Sequence, residues 1–183
     1  MSDFRLIAGV SIPDTTDLAR EYRLQKNKIT LSLSAEDYKN FFTLSVKKLS
    51  EPVFFFLEIP ADNDTVRTYY LDNCTQPVAQ AILKRYGGIL FADGVIRFGF
   101  GSHKTDDEIY MQEYQTVTVY SERIGEYEKV LQKLGYQRNN KALTAWDILS
   151  EKNPGECVNV DVDDEGYPDM LNNLIDIGMY AAQ

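Results

Sequence analysis

Histidine is almost missing from this sequence. His103 is the sole one in 183 residues, and cysteine occurs only as Cys74 and Cys157. Ser102 and His103 are adjacent, so on an extended segment they project to opposite sides and do not form a serine–histidine pair; no second histidine exists to activate another nucleophile. Two cysteines do not by themselves complete a tetrahedral zinc site. They read as reduced thiols, because the opening residues MSDFRLIAGVSIPD carry no basic segment followed by a sustained apolar run, as a secretory signal would. Long hydrophobic stretches are lacking too. The most apolar run, Val53 to Leu57, is far below the roughly 20 residues that a membrane-spanning helix needs. The expectation is a cytoplasmic protein that makes no membrane contact.

An excess of positive charge is the next absence. The formal net charge is −9, and it is unevenly placed: residues 1–92 hold 11 Lys and Arg against 11 Asp and Glu, whereas residues 93–183 hold 8 against 17. Affinity for nucleic acid and for anionic lipid comes largely from Lys and Arg neutralising phosphates, so neither is expected as a partner. An acidic surface keeps a protein soluble, and it also steers a basic protein toward it.

Hydrophobic periodicity then outlines the fold. Ile29 to Leu33 alternates as a strand, and Ser34 precedes a helix that sets Tyr38, Phe41, Phe42, Ser45, Val46 and Leu49 on one face. Val53 to Ile59, ended by Pro60, is continuous enough for a strand buried on both faces, and Val66 to Leu71 predicts a short strand beside it. A helix opening at Thr75-Gln-Pro-Val is expected to bury Val78, Ala81, Ile82 and Tyr86 and to close at Gly87-Gly88. A third helix near 123–134 stops at Gly135, Trp146 lies on a short helix, Cys157 to Val162 alternates, and Pro168 to Tyr180 predicts a terminal helix. The repeated 20- to 50-residue period of solenoids is absent. No strand is followed by a glycine-rich phosphate turn, so the prediction is one α+β domain over 1–183 with a mainly antiparallel sheet.

Residues 98–109, FGFGSHKTDDEI, concentrate the remaining signal. Gly99-x-Gly101 is followed by Lys104 where a dinucleotide fingerprint needs glycine, and the next segment is too rich in β-branched and aromatic residues for the required helix. A hairpin accounts for the stretch. Ile96, Phe98 and Phe100 take one face, and Gly99 and Gly101 leave the other flat enough for a ring to lie there; Tyr110, Tyr114 and Tyr120 of the returning segment share the parity to supply one. Residues 101–108 become a connecting loop that is longer than tight hairpins need, which is where recognition concentrates. His103, Asp106, Asp107 and Glu108, with Tyr110 and Tyr114 beside them, are the expected contact residues for a basic partner, because tyrosine gives interfaces large area at small entropic cost.

The run Asp161-Val-Asp163-Asp-Glu165-Gly166-Tyr-Pro-Asp169 has oxygen donors at positions 1, 3, 5 and 9 of a calcium loop. Position 12, however, is Asn172, and Pro168 stands where an apolar residue belongs. It reads better as an acidic turn feeding a helix. No motif implies a cofactor, a catalytic set or a metal. The expected function is a non-catalytic protein that binds a basic protein partner, as an inhibitor or immunity-type protein does. A small hydrolase using carboxylates, or a cysteine with His103, and a weak calcium-binding module are the alternatives.

Overall fold

Period-2 and period-3.6 patterns separate cleanly into a twisted sheet and helices laid against it. The computed structural model describes residues 4–183. Along the chain come β1 (Val10–Ser11), β2 (Glu21–Gln25), β3 (Lys28–Ser32), α1 (Tyr38–Val46), β4 (Val53–Ala61), β5 (Thr65–Cys74), α2 (Gln76–Leu90) and β6 (Arg97–Ser102). They are followed by β7 (Asp107–Met111), β8 (Thr116–Tyr120), α3 (Ile124–Lys133), β9 (Gln137–Arg138), α4 (Ala145–Ile148), β10 (Glu156–Cys157), α5 (Tyr167–Asp176) and β11 (Tyr180–Ala181). Nine strands form one sheet in the order β11-β5-β4-β6-β7-β8-β3-β2-β9, and β1 pairs with β10 in a small ribbon. Among the described residues, only the β2–β9 pairing is parallel. The fold is α+β with a mainly antiparallel sheet, as its pattern predicts.

One face of the sheet carries the core. Phe55, Leu57, Phe98, Phe100, Ile109 and Val119 come from successive strands with matching register and are fully buried. Phe42 of α1 meets Phe98 at 4.9 Å between ring centroids, and Phe91, just past α2, stacks on Phe42 at 5.6 Å. Tyr127 of α3 reaches the same side through Asp107. Burial of each such ring contributes about 1.5–3 kcal/mol.

Several boundaries differ from the sequence prediction for identifiable reasons. The α2 helix runs through Gly87 and Gly88 to Leu90 and buries Ala79, Ile82 and Leu83, leaving Val78 exposed. The absent side chain at Gly87 admits Phe91, whose ring would lie 3.0 Å from an added Cβ. The β5 strand is longer than expected, and Pro60 sits inside β4 at a position that only β5 flanks, so its missing N–H interrupts no ladder with β6. The terminal helix ends early. Gly178, at φ 112°, turns the chain out of α5, and Tyr180–Ala181 becomes an edge strand on β5. Of the predicted strand Cys157 to Val162, only Cys157 is in a ladder; Val162 instead closes a turn onto Glu165.

The connection between β7 and β8 is also unlike the continuous strand implied by residues 109–120. A 3₁₀ turn at Glu113–Gln115 interrupts it, with Tyr114 and Gln115 both left-handed at φ 52° and 58°. The buried Gln115 amide holds that geometry: its Oε1 accepts from the Ile7 N–H at 2.7 Å, and its Nε2 donates to the carbonyls of Leu33 at 2.7 Å and Arg5 at 3.1 Å. Three satisfied bonds to distant segments offset the cost of left-handed backbone at non-glycine residues.

On the face opposite the core, Gly99 and Gly101 touch rings as their parity predicts, but the rings belong to β4. A Cβ added at Gly99 would lie 2.4 Å from the Phe56 ring and 2.5 Å from the Ile109 carbonyl oxygen; at Gly101 it would lie 2.3 Å from the Phe54 ring. Gly99→Ala should therefore lower stability by about 1–3 kcal/mol, measured by urea denaturation, because neither the strand nor the packed ring has room to retreat. An unchanged midpoint would mean that the ring is free to lift off the sheet.

Candidate functional site

The side chains facing away from the core alternate with the buried ones along the same strands. Phe54, Phe56 and Glu58 come from β4, Tyr70 and Asp72 from β5, and Glu108 and Tyr110 from β7, with glycine between them on β6. Phe54 and Phe56 lie outside the contiguous core and are covered instead by one another's neighbours. His103 stacks on Phe54 with centroids 4.4 Å apart and planes 24° apart, Tyr70 stands edge-on to Phe54 at 6.3 Å, and Tyr110 lies 5.3 Å from Phe56. Tyr180 of β11 extends the row, 6.4 Å from Tyr70. The far end of this face is closed: the Ala145 N–H donates to Ser32 Oγ, and Arg23 pairs with Asp147. The aromatic end holds a cleft of about 410 Å³ over Phe54, walled by strand, turn and edge-strand residues only.

Carboxylates rim the rings. Glu58 accepts from the Tyr110 hydroxyl at 2.6 Å and lies 3.8 Å from Arg97, which also pairs with Glu113. Burial, followed by this donation to Glu58, pushes the Tyr110 hydroxyl up to about 12. Asp72 accepts from the Tyr180 hydroxyl, and its Oδ1 is 3.9 Å from His103 Nε2. Glu108 projects from β7 between Gly101 and Tyr120, with no cation in ion-pair contact among the described residues. Partial burial raises its pKa, and the charge on Glu58 adds to the effect.

Of the six residues predicted from sequence, His103, Asp106, Glu108 and Tyr110 belong to this region, Asp106 at the turn in left-handed backbone with φ 53°. The connecting segment is shorter than the expected 101–108, since β6 extends to Ser102 and β7 begins at Asp107. That shift reverses the reading of Asp107. Once it is on a strand, the pleat sends its side chain to the core side, where it is fully buried; Oδ2 accepts from Arg123 at 2.6 Å, from Thr105 at 3.0 Å and from Tyr127 at 3.4 Å. Tyr114 is also elsewhere: the 3₁₀ turn carries it away from Tyr110, edge-on to Trp146 at 5.0 Å and against Gly155.

Phe54, Phe56, Tyr70, Asp72 and Tyr180 are the contributors that sequence reasoning missed. The signal was present in β4: Phe54, Phe56 and Glu58 share a parity that ends in a charge, which marks a face turning toward water. The other candidates lead to different surroundings. Asp163 and Asp164 form a left-handed turn tip closed by Val162–Glu165 backbone bonds of 2.8 and 3.0 Å; Glu165 engages Arg85, and Asp169 accepts from the Gly166 N–H. Cys74 is in the helix-side core while His103 is on the opposite face, and burial pushes the thiols of both Cys74 and Cys157 up. Among the described residues, no three His, Cys, Asp or Glu side chains gather to hold a metal ion, and no helix is long and apolar enough to cross a membrane. Comparison with protein-family models, curated proteins and solved structures finds no match to this chain.

Two expected outcomes separate structural acids from surface ones. Arg123→Met leaves the Asp107 charge buried without its cation and should cost about 2–4 kcal/mol, somewhat below the usual penalty because Arg123 is itself half exposed; Asp106→Asn should change stability by less than about 0.5 kcal/mol. Equal effects in chemical denaturation would contradict this division. The second concerns Glu108. An acid whose pKa is raised by folding contributes stability while protonated, and loses that contribution as pH rises through its folded-state value. Glu108→Gln should thus melt above the parent at about pH 7 and level with it at about pH 3. A lower melting point than the parent at neutral pH would show that the charge is stabilised where it stands.

Proposed function

We propose that this is a non-catalytic cytoplasmic protein that binds a basic protein partner on the aromatic end of its open sheet face, in the manner of an inhibitor or immunity-type protein. The observation that carries the reading is the pairing of a row of rings, partly exposed at Tyr70, Tyr110 and Tyr180, with carboxylates that no Lys or Arg pairs. Tyrosine rings set beside the buried Phe54 and Phe56 offer contact area with little rotamer entropy to lose, and acids around them supply steering and register. The acidic excess of residues 93–183 adds a long-range field of the same sign.

A second reading is a small hydrolase that uses carboxylates of this face, Glu58 and Glu108 among them. Glu58 is already committed to Tyr110 and Arg97, which makes it a poor base. The two readings differ in what Glu108→Gln does. A binder loses association rate; a hydrolase loses turnover of whatever it binds.

The test is capture of a partner from native cells at low salt, followed by surface-based kinetics at two ionic strengths. Asp106→Asn with Glu108→Gln should slow association about three- to tenfold at low salt and flatten its salt dependence, with smaller change in dissociation. Tyr70→Ala should instead speed dissociation, by an amount equivalent to about 1–3 kcal/mol. Unchanged rates in both variants would remove this face from consideration.

A further inference from the structure

Resting on the reading of this face as a binding surface, we propose that the cleft over Phe54 is the receptor for a single arginine side chain of the partner. At about 410 Å³ the cleft falls at the small end of the roughly 300–1,000 Å³ typical of ligand sites, enough for one side chain rather than a helix or strand. Phe54 is buried between Gly101 and the nearly parallel His103 ring, so the planar surface left open to an occupant is that of the exposed His103, with Tyr70 edge-on to Phe54 beside it. A planar cation inserts against such surfaces by stacking and by attraction to the ring faces.

Charge supplies the second observation. Asp72, Asp106 and Glu108 enter the cleft from three different elements, β5, the turn and β7. None of the three is in an ion pair with Lys or Arg, whereas Glu58 and Glu113 share Arg97 and the buried Asp107 has Arg123. A guanidinium presents five donors in a rigid fork, and here carboxylates stand around a planar stack. The ammonium of lysine would satisfy the carboxylates but make less of the exposed His103 ring. The chemistry of the cleft therefore discriminates between the two basic side chains.

The protein carries its own reporter, because His103 is the chain's only histidine and its ring is part of the cleft. Protein labelled at histidine is titrated with N-acetyl-arginine amide, N-acetyl-lysine amide and N-acetyl-norleucine amide at matched ionic strength, with the ring resonances followed by NMR. Arginine amide should give a saturable shift in the millimolar range, lysine amide a weaker-binding one, and norleucine amide none. The Asp72→Asn, Glu108→Gln double variant, checked for an intact fold by its dispersed spectrum, should lose the arginine response at least severalfold in affinity. Absence of a saturable arginine shift, lysine binding as tightly as arginine, or an undiminished response in the double variant would each overturn the proposal. If a captured basic partner is slowed by the Asp106 and Glu108 substitutions while arginine amide leaves His103 unmoved, the cleft is not an arginine receptor but the binding face stands. If arginine amide binds and no basic partner is captured, the cleft stands without that reading of the face.

Discussion

Two missing side chains in β6 determine how closely the rings of β4 approach the sheet. Without a Cβ at Gly99 and Gly101, Phe56 and Phe54 lie directly on the backbone of the neighbouring strand, closer than any alanine would permit. Two large apolar groups are thereby buried at the end of the face away from α4, and the sheet gains ring-to-backbone contact there. The rest of the face is arranged around that contact: Tyr70 and Tyr110 flank the two phenylalanines, and His103 caps the outer one. Flattening the rings also lowers the floor, which is why a cleft rather than a ridge forms over Phe54.

The consecutive acids Asp106, Asp107 and Glu108 show how a pleat divides one sequence motif into unrelated roles. Asp106 turns the chain in left-handed backbone, a conformation that aspartate tolerates better than most residues. Asp107 points inward and anchors the start of α3 through Arg123, with Tyr127 alongside; a fully buried carboxylate is kept there because a cation and two hydroxyls reach it. Glu108 points outward into the cleft. Had all three faced solvent, their charges would have been interchangeable. As built, neutralising the middle one disturbs the packing of helix on sheet, and neutralising the last disturbs only the open face.

Much of this was legible in the sequence, and the failures have a common cause. The mixed antiparallel fold, the buried stripe of α1, the stop of α3 at Gly135 and the flat side of the Phe98–Ser102 strand followed directly from period and punctuation. Parity placed Tyr110 on the open face as well. Two errors came from strand ends: taking the hairpin loop as 101–108 hid the inward turn of Asp107, and taking 109–120 as continuous hid the 3₁₀ turn that removes Tyr114. That turn is held by Gln115 bonding to Arg5, Ile7 and Leu33, contacts between segments up to 110 residues apart that no local pattern records. The run Val53–Leu57 misled in a different way. Continuous hydrophobicity implies burial on both faces, which is true of Phe54 and Phe56 by area, but they are buried by rings and glycine rather than by a second layer of helices.

That distinction matters for how charge is distributed over the molecule. Around the core side, acids are matched: Asp37 with Arg20 and Tyr136, Asp107 with Arg123, and Asp93 with the amides of Val95, Ile96 and Val160. On the aromatic end of the open face the pairing stops at Arg97 with Glu58 and Glu113, and the pKa of Glu108 is raised by desolvation and by the Glu58 charge. Local electrostatics would be improved by a glutamine or a nearby lysine. A folded protein that tolerates such an arrangement carries a local cost that its own packing does not recover, and departures of this kind concentrate where a surface is shaped for something other than stability. A cation entering the cleft would meet Asp72, Asp106 and Glu108, none of which pairs with Lys or Arg. The groups that make the isolated face less stable are thus the ones with most to gain from a basic partner.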